Sequence, residues 1–197
     1  MINNLTKVGI LGGSGFTGEE LLRILSNHPR TEVIAVSSRD LLGQSTTKIV
    51  EESELVFVEP NNDIFLDCEV IFFATPHGSI YGMVRTYVER NIKIIDLSAD
   101  FRLKDTSIWK EWYGSKHREE QLLSDAVYGL TELNLNKIKS AKLVAVPGCY
   151  PTSSLLGSLP LLNSKLEIES IVIDAKSGIS GAGRKTVKNN LSKEIKD

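Results

Sequence analysis

The sequence predicts an α/β fold built on a doubly wound, mostly parallel sheet. Strand-like apolar runs alternate with helix-like stretches over most of the chain. A glycine cluster sits at the first strand–helix junction. The composition, 41% hydrophobic and 24% charged over 197 residues, is that of an ordinary globular chain.

The elements follow in order. Residues 7–11 (KVGIL) form a short apolar run ending in glycines, a buried strand. Residues 16–27 carry Leu21, Leu22, Ile24 and Leu25 as a helical stripe, which His28 and Pro29 stop. Residues 32–37 (EVIAVS) are a second strand and 55–58 (LVFV) a third. The most apolar stretch, 69–74 (EVIFFA), is a fourth. Residues 79–89 read as a helix with Ile80, Val84 and Val88 on one face. Residues 91–96 (NIKIID) and 142–146 (KLVAV) complete six strands. Residues 39–54 are polar and poorly patterned. Residues 97–126, with Trp109, Trp112 and Tyr113, lack a clear period, and a connection of that length is functional or carries short helices of its own.

After Cys149 the pattern changes. Residues 151–163 read as a helix, 170–175 as a strand, 177–183 as a glycine-rich loop, and 184–196 as a basic stretch. The reading sets one domain at 1–148 and the beginning of a second at 149–197. The second part is too short for a core of its own, so it reads as truncated, with the apolar faces of 151–163 and 170–175 exposed.

Charge and composition exclude several classes. Twenty-three basic against 25 acidic residues leave a net charge of -2, which argues against general affinity for nucleic acid or anionic membrane. No apolar run reaches membrane-spanning length. Two cysteines make no disulfide framework, and with no signal-like N-terminus the default location is the cytoplasm. No metal-ligand pattern stands out.

Gly12, Gly13, Ser14, Gly15, Phe16, Thr17 and Gly18 follow the first strand and open a helix. The spacing is G-x-x-G-x-x-G, with Gly13, Gly15 and Gly18 close to the dinucleotide fingerprint. Glycines allow a tight turn and close approach of a pyrophosphate, and the helix N-terminus offers free N–H groups. The alternative is a plain strand–helix turn. The second strand ends in Ser37, Ser38 and Arg39, where an NAD site would place an acidic residue. Hydroxyls and an Arg suit a 2′-phosphate, so NADP is the favoured cofactor over an ordinary polar loop.

Cys149 lies between a strand end and a helix start, with Pro147 and Gly148 before it and Pro151 after. A thiol at a helix N-terminus is in a field that favours thiolate, as a nucleophile for acyl transfer needs. Cys68, inside an apolar segment, reads as a buried structural residue.

These pieces carry a resemblance. GGSGFTGEELLRIL (12–25), SSR (37–39), ATPHG (74–78), DLSADFR (96–102), YGLTELN (128–134), PGCYPT (147–152) and SGISGAGRK (177–185) occur in order over nearly the whole chain. The chain resembles the N-acetyl-gamma-glutamyl-phosphate reductases, NADP-dependent semialdehyde dehydrogenases of arginine biosynthesis with a Rossmann-like cofactor domain. The resemblance implies Cys149 as the nucleophile that forms a thioester from an acyl phosphate. It implies the pyrophosphate on Gly12, Gly15, Phe16, Thr17 and Gly18, and the adenosine ribose phosphate at Ser37, Ser38 and Arg39. Thr75, Pro76, His77 and Gly78 would line the cofactor, with Ser177 and Gly178 beside it. Arg102 is either a ligand for a substrate anion or half of a surface ion pair. Ser180 and Gly181 to Gly183 form either an anion-cradling loop beside the thiol or a hinge. His28 and His117 read as solvated.

The family's catalytic base is a histidine in an H-R-H-x-P-E-like segment beyond the SGAGR loop, which His28, His77 and His117 do not match. The reading therefore expects the N-terminal portion of a longer, homo-oligomeric protein, binding NADPH but turning over poorly by itself. The competing expectation is a short protein that borrows a second chain. Tyr150, Pro151 and Thr152 favour the acetyl-glutamyl substrate by resemblance. The alternatives are an aspartyl- or aminoadipyl-phosphate reductase and a non-catalytic NADP-binding module.

Overall fold

A computed structural model describes residues 5–79, 81–164, 166–184 and 187. The strands are β1 (Thr6–Leu11), β2 (Thr31–Ser37), β3 (Phe57–Val58), β4 (Val70–Phe73), β5 (Lys93–Asp96), β6 (Val127–Tyr128) and β7 (Leu143–Ala145). They form one seven-stranded sheet in the order β3-β2-β1-β4-β5-β7-β6, and every strand pair is parallel. The helices are α1 (Phe16–Ser26), α2 (Tyr81–Glu89), α3 (Thr106–Tyr113), α4 (Glu120–Asp125), α5 (Thr131–Ser140) and α6 (Cys149–Leu162).

Alternation along the strands divides the core. Val8 and Ile10 of β1 join Leu22, Leu25, Val36 and Phe57, under α1. Leu11 joins Ile71, Phe73, Ile94 and Leu143 with Val84 and Tyr87 of α2. Successive strand side chains face opposite ways, so one sheet serves both packing layers. Because all pairs are parallel, the turns after β1, β4, β5 and β7 emerge at one edge, where such sheets bind ligands.

The long connection 97–126 holds α3 and α4, and β6 follows it at the sheet's edge. Asp105 caps α3 by accepting from the N–H groups of Ser107 and Ile108. The polar segment 39–54 is held by one antiparallel bridge, Ser45 to Val56, and by buried Thr46, whose hydroxyl bonds Ser53 and the Leu55 carbonyl. Residues 170–175 correct the sequence reading: among the described residues they pair with no strand, and Val172 is 92% exposed. An apolar run supplies β propensity, but a strand exists only where a partner backbone accepts and donates its bonds. Ile80 and most of the basic stretch lie outside the described residues.

Asp96 ends β5 fully buried, with its two carboxylate oxygens accepting from the Ser98 N–H (2.8 Å) and hydroxyl (2.9 Å). Burial raises its carboxyl from 3.8 to about 6 against those two bonds. A carboxyl raised above its unfolded value favours the protonated fold. That stabilisation is complete below pH 3.8 and is lost as pH rises through about 6. The gap is worth about 3 kcal/mol at most. Asp96→Asn removes the titration, so the stability of the unsubstituted chain relative to this variant is expected to fall by up to about that amount between pH 4 and pH 7. Urea unfolding at the two pH values measures the difference, and a pH-independent difference would refute it.

Candidate active site

The β1–α1 turn contains two kinds of glycine. Gly12 has φ 88°, and a Cβ on it would lie 2.5 Å from the Ala74 carbonyl oxygen. A Cβ on Gly18 would lie 2.2 Å from the Gly12 oxygen. Both positions are closed by the protein's own backbone. Gly15 differs: its φ is −79°, and a Cβ there would meet only the Gly12 oxygen, at 3.7 Å. Among the described residues nothing requires glycine at 15, and the space it leaves is open. Gly15 is also the N-cap of α1 and places no side chain over the first-turn N–H groups. Phe16 and Thr17, at the start of α1, are exposed.

Ser37, Ser38 and Arg39 divide. Ser37 is fully buried, its hydroxyl accepting from Gly12 N–H at 3.2 Å and its carbonyl from Gly13 N–H at 2.8 Å. Ser38, also buried, donates its hydroxyl to Ser14 Oγ at 2.8 Å and accepts from Leu41 N–H. Both serines are spent clamping the glycine loop to β2, so only Arg39 of the three is presented to solvent.

After β4, the Thr75 hydroxyl oxygen is buried and has no partner among the described residues. Its methyl lies 3.1 Å from where a Gly12 Cβ would be, so the orphaned hydroxyl adjoins the glycine loop. Pro76 and His77 are exposed. Gly78, at φ 76°, shares its N–H between both oxygens of Asp100, each at 2.9 Å. The Tyr81 hydroxyl donates to the same carboxylate at 3.4 Å. Burial raises the Asp100 carboxyl, opposed by the Gly78 bond and by His117 and His77.

His117 corrects the sequence reading. It is buried, not solvated, and sits edge-on to Tyr81 (4.9 Å between ring centres), Trp109 (5.0 Å) and Phe101 (5.4 Å). Its Nε2 lies 2.8 Å from the Asp100 carbonyl, and its Nδ1 accepts from Glu119 N–H at 3.1 Å. With both nitrogens engaged, the ring pins segment 96–102 and is not placed to move protons at the site. His28 is exposed.

Cys149 is the first residue of α6, with Gly148 as N-cap, and its side chain is exposed. The Thr152 N–H and hydroxyl both donate to the Gly148 carbonyl, at 3.0 and 2.8 Å, and fix this turn. Arg102 braces it from the other side. Its Nε donates to the Val146 carbonyl and its Nη2 to the Leu97 carbonyl, each at 2.8 Å. Its Nη1 would be 3.2 Å from a Cβ on Gly148. Among the described residues Arg102 has no carboxylate within ion-pair distance, which removes the surface ion-pair alternative.

Ser177, Gly178, Ser180 and Gly181 are exposed, in and beside a short 3-10 turn at Ile179–Ala182. Arg184, two residues past that turn, pairs with Glu19 of α1 and lays its guanidinium 4.4 Å above the Phe16 ring. The 177–184 segment is thus brought to the glycine loop. Sequence reading placed Thr75 among the cofactor-lining residues but did not single out Arg184, for which the Arg within SGAGR was the available signal. Among the described residues no group of three or more His, Cys, Asp or Glu can hold a metal, and no helix is long and apolar enough to cross a membrane.

Comparisons with known proteins show the chain's family. The family model described as semialdehyde dehydrogenase, NAD binding domain, matches residues 7–141, and the corresponding dimerisation domain model matches 149–197. A Saccharophagus degradans protein named N-acetyl-gamma-glutamyl-phosphate reductase is 47% identical over 98% of this chain and 57% of its own length. A Nitrosococcus oceani protein of the same name is 47% identical over 95% of this chain and 56% of its own. The chain therefore spans just over half the length of these relatives. Among solved structures, aspartate semialdehyde dehydrogenase II from Vibrio cholerae, complexed with ASA, superimposes with a TM-score of 0.74 at 15% identity, over 95% of this chain and 51% of that one. Aspartate semialdehyde dehydrogenase with NADP from Candida albicans gives 0.56 at 18% identity, over 80% and 47%. At those identities the likeness is one of fold.

The two thiols are expected to differ sharply toward iodoacetamide. Cys68 is buried, and burial pushes its thiol up to about 12, whereas Cys149 is open to solvent. In the native chain Cys149 should be labelled at least about 100-fold faster. Equal rates by peptide mass mapping would remove Cys149 as a nucleophile.

Proposed function

Since the chain belongs to the semialdehyde dehydrogenase family, we propose that it is the cofactor- and thiol-bearing portion of an NADPH-dependent N-acetyl-glutamyl-phosphate reductase. The reaction converts N-acetyl-glutamyl 5-phosphate to N-acetyl-glutamate 5-semialdehyde and phosphate. One observation carries the reading: an exposed Cys149 at a helix N-terminus shares the carboxyl edge of a parallel sheet with a glycine loop that leaves open space at Gly15. The relatives' names supply the acyl group.

The residues present fit a dinucleotide. The space at Gly15 and the uncapped first turn of α1 would receive a pyrophosphate, the Thr75 hydroxyl would gain the partner it lacks, and Arg39 would face the 2′-phosphate. Bound NADPH supplies the hydride. The Cys149 thiolate attacks the acyl carbon; the C–S bond forms as the bond to phosphate breaks, and phosphate leaves. Once the thioester carbon is reduced, the C–S bond breaks and returns the thiolate. The α6 N-terminus stabilises the sulfur's negative charge at both ends of this cycle. Arg102, with two donors committed to carbonyls, keeps Nη1 beside the thiol turn for a substrate anion. Ser180 and Gly181 would complete that end. His117 is not the general base, because both its ring nitrogens are engaged, and the reaction still calls for one. Without it, turnover is expected to be about 10²–10⁴-fold lower. A cytoplasmic location belongs to the same reading, and so does homo-oligomerisation through 149–197, which the dimerisation-domain match and exposed Leu161, Leu162 and Val172 support.

Phosphate-dependent reduction of NADP⁺ with N-acetyl-glutamate 5-semialdehyde, measured on the natural gene product, tests the reading. Cys149→Ser should lower the rate by at least about 10³-fold. Faster reaction with aspartate semialdehyde would move the substrate to the aspartyl branch, and no reaction with either would leave a binding module.

The glycines give a second test. Gly18→Ala would gain helix propensity of about 1 kcal/mol elsewhere, but here its methyl meets backbone at 2.2 Å, so a lower Tm is expected. Gly15→Ala should leave Tm nearly unchanged and weaken NADPH binding by about 10-fold or more. A Gly15→Ala variant that binds NADPH normally would place the cofactor elsewhere.

A further inference from the structure

Arg184 is bound in an unusual way for a surface arginine. One Nη is paired with Glu19, in the first turn of α1. The guanidinium plane covers the ring of Phe16, the first residue of α1, at 4.4 Å. Its Nε is buried and finds no acceptor among the described residues. An orphaned, charged N–H is costly unless something accepts from it. The surroundings say what kind of group that is. The guanidinium lies against the same first turn whose N–H groups are uncapped and whose N-cap, Gly15, leaves open space. Helix end and guanidinium favour the same sign of ligand charge.

We propose that Arg184 is a pyrophosphate-binding residue, reaching the β1–α1 turn from the 177–184 segment, and that Glu19 is its anchor rather than its final partner. This rests on the dinucleotide reading above. Glu19 and the Phe16 ring hold the guanidinium in place before the ligand arrives, and the unpaired Nε–H and the remaining Nη donors are left for phosphate oxygens. The arrangement also removes a liability: a bare carboxylate at residue 19 would repel an anion at residue 15, and the arginine neutralises it.

The anchor role makes a prediction of unusual sign. Simple charge counting says that Glu19→Gln, which deletes a negative charge near an anion site, tightens NADPH binding. The anchor role says that it weakens binding, because the guanidinium is no longer held over α1. NADPH affinity, read by nucleotide fluorescence on the full chain, decides. Arg184→Ala is expected to weaken binding by about 10-fold or more, as loss of a charged hydrogen bond does. Glu19→Gln is expected to weaken it by a few-fold, and Arg184→Lys, which keeps the charge but not the planar fork, should fall between Arg184→Ala and the unsubstituted chain. Normal affinity in Arg184→Ala, or tighter binding in Glu19→Gln, overturns the proposal. Should the alanine variant fail to fold, normal affinity in Arg184→Lys overturns it instead. If the unsubstituted chain binds no NADPH, the dinucleotide reading itself fails and takes this proposal with it, an outcome distinct from normal affinity in a variant.

Discussion

Strand ends in a parallel sheet leave polar groups that the ladder does not use, and segment 96–102 satisfies several of them at once. Asp96 closes on Ser98, Asp100 takes the Gly78 N–H from the turn after β4, and Arg102 takes carbonyls from the ends of β5 and β7. The cofactor-side loop and the thiol turn are thereby tied to one buried strip of chain. Burying two carboxylates there is unfavourable in itself, which is why both are raised in pKa. The strip persists because its polar atoms are bonded and because His117, boxed by three aromatic rings, fixes its backbone from behind.

The elements whose signal is local were legible in the sequence. Strands β1, β2, β4 and β5 and helix α1 follow from apolar runs and a 3.6-residue stripe, and all five lie within two residues of where the pattern puts them. The two-residue strand β6 was not legible, because two residues carry no period and their partners in β7 lie 17 residues away. Residues 170–175 show the converse, a strand-like pattern with no partner among the described residues. His117 misled for a related reason. Lys116, Arg118 and Glu119 surround it in sequence, but the ring turns inward and Glu119 follows it to pair with Arg85. Charge along the chain reports composition, not the direction of a side chain.

The site was legible to a similar degree. Motif spacing located the glycine loop, the 74–78 turn and the cysteine, but it could not say what each residue does there. Ser37 and Ser38 look like ligand hydroxyls in sequence, and in the fold both hydroxyls also bond the glycine loop. Of the four glycines, Gly12, Gly13 and Gly18 serve the fold and Gly15 leaves open space, a distinction visible only once a Cβ is placed on each.

The position of β7 between β5 and β6 bears on how the molecule is made. As the chain leaves the ribosome, β1 to β5 can pair as soon as residue 96 has emerged, since their order 3-2-1-4-5 needs nothing later. Strand β6 must wait, because among the described residues its ladder is with β7 alone. Arg102 waits as well, since its Val146 acceptor is made some forty residues after it. Synthesis therefore makes the first five strands available before the turn that carries Cys149 can be braced. A nascent chain stalled before residue 143 would have most of its sheet and none of the Cys149 turn, so this topology keeps that turn from forming ahead of its scaffold.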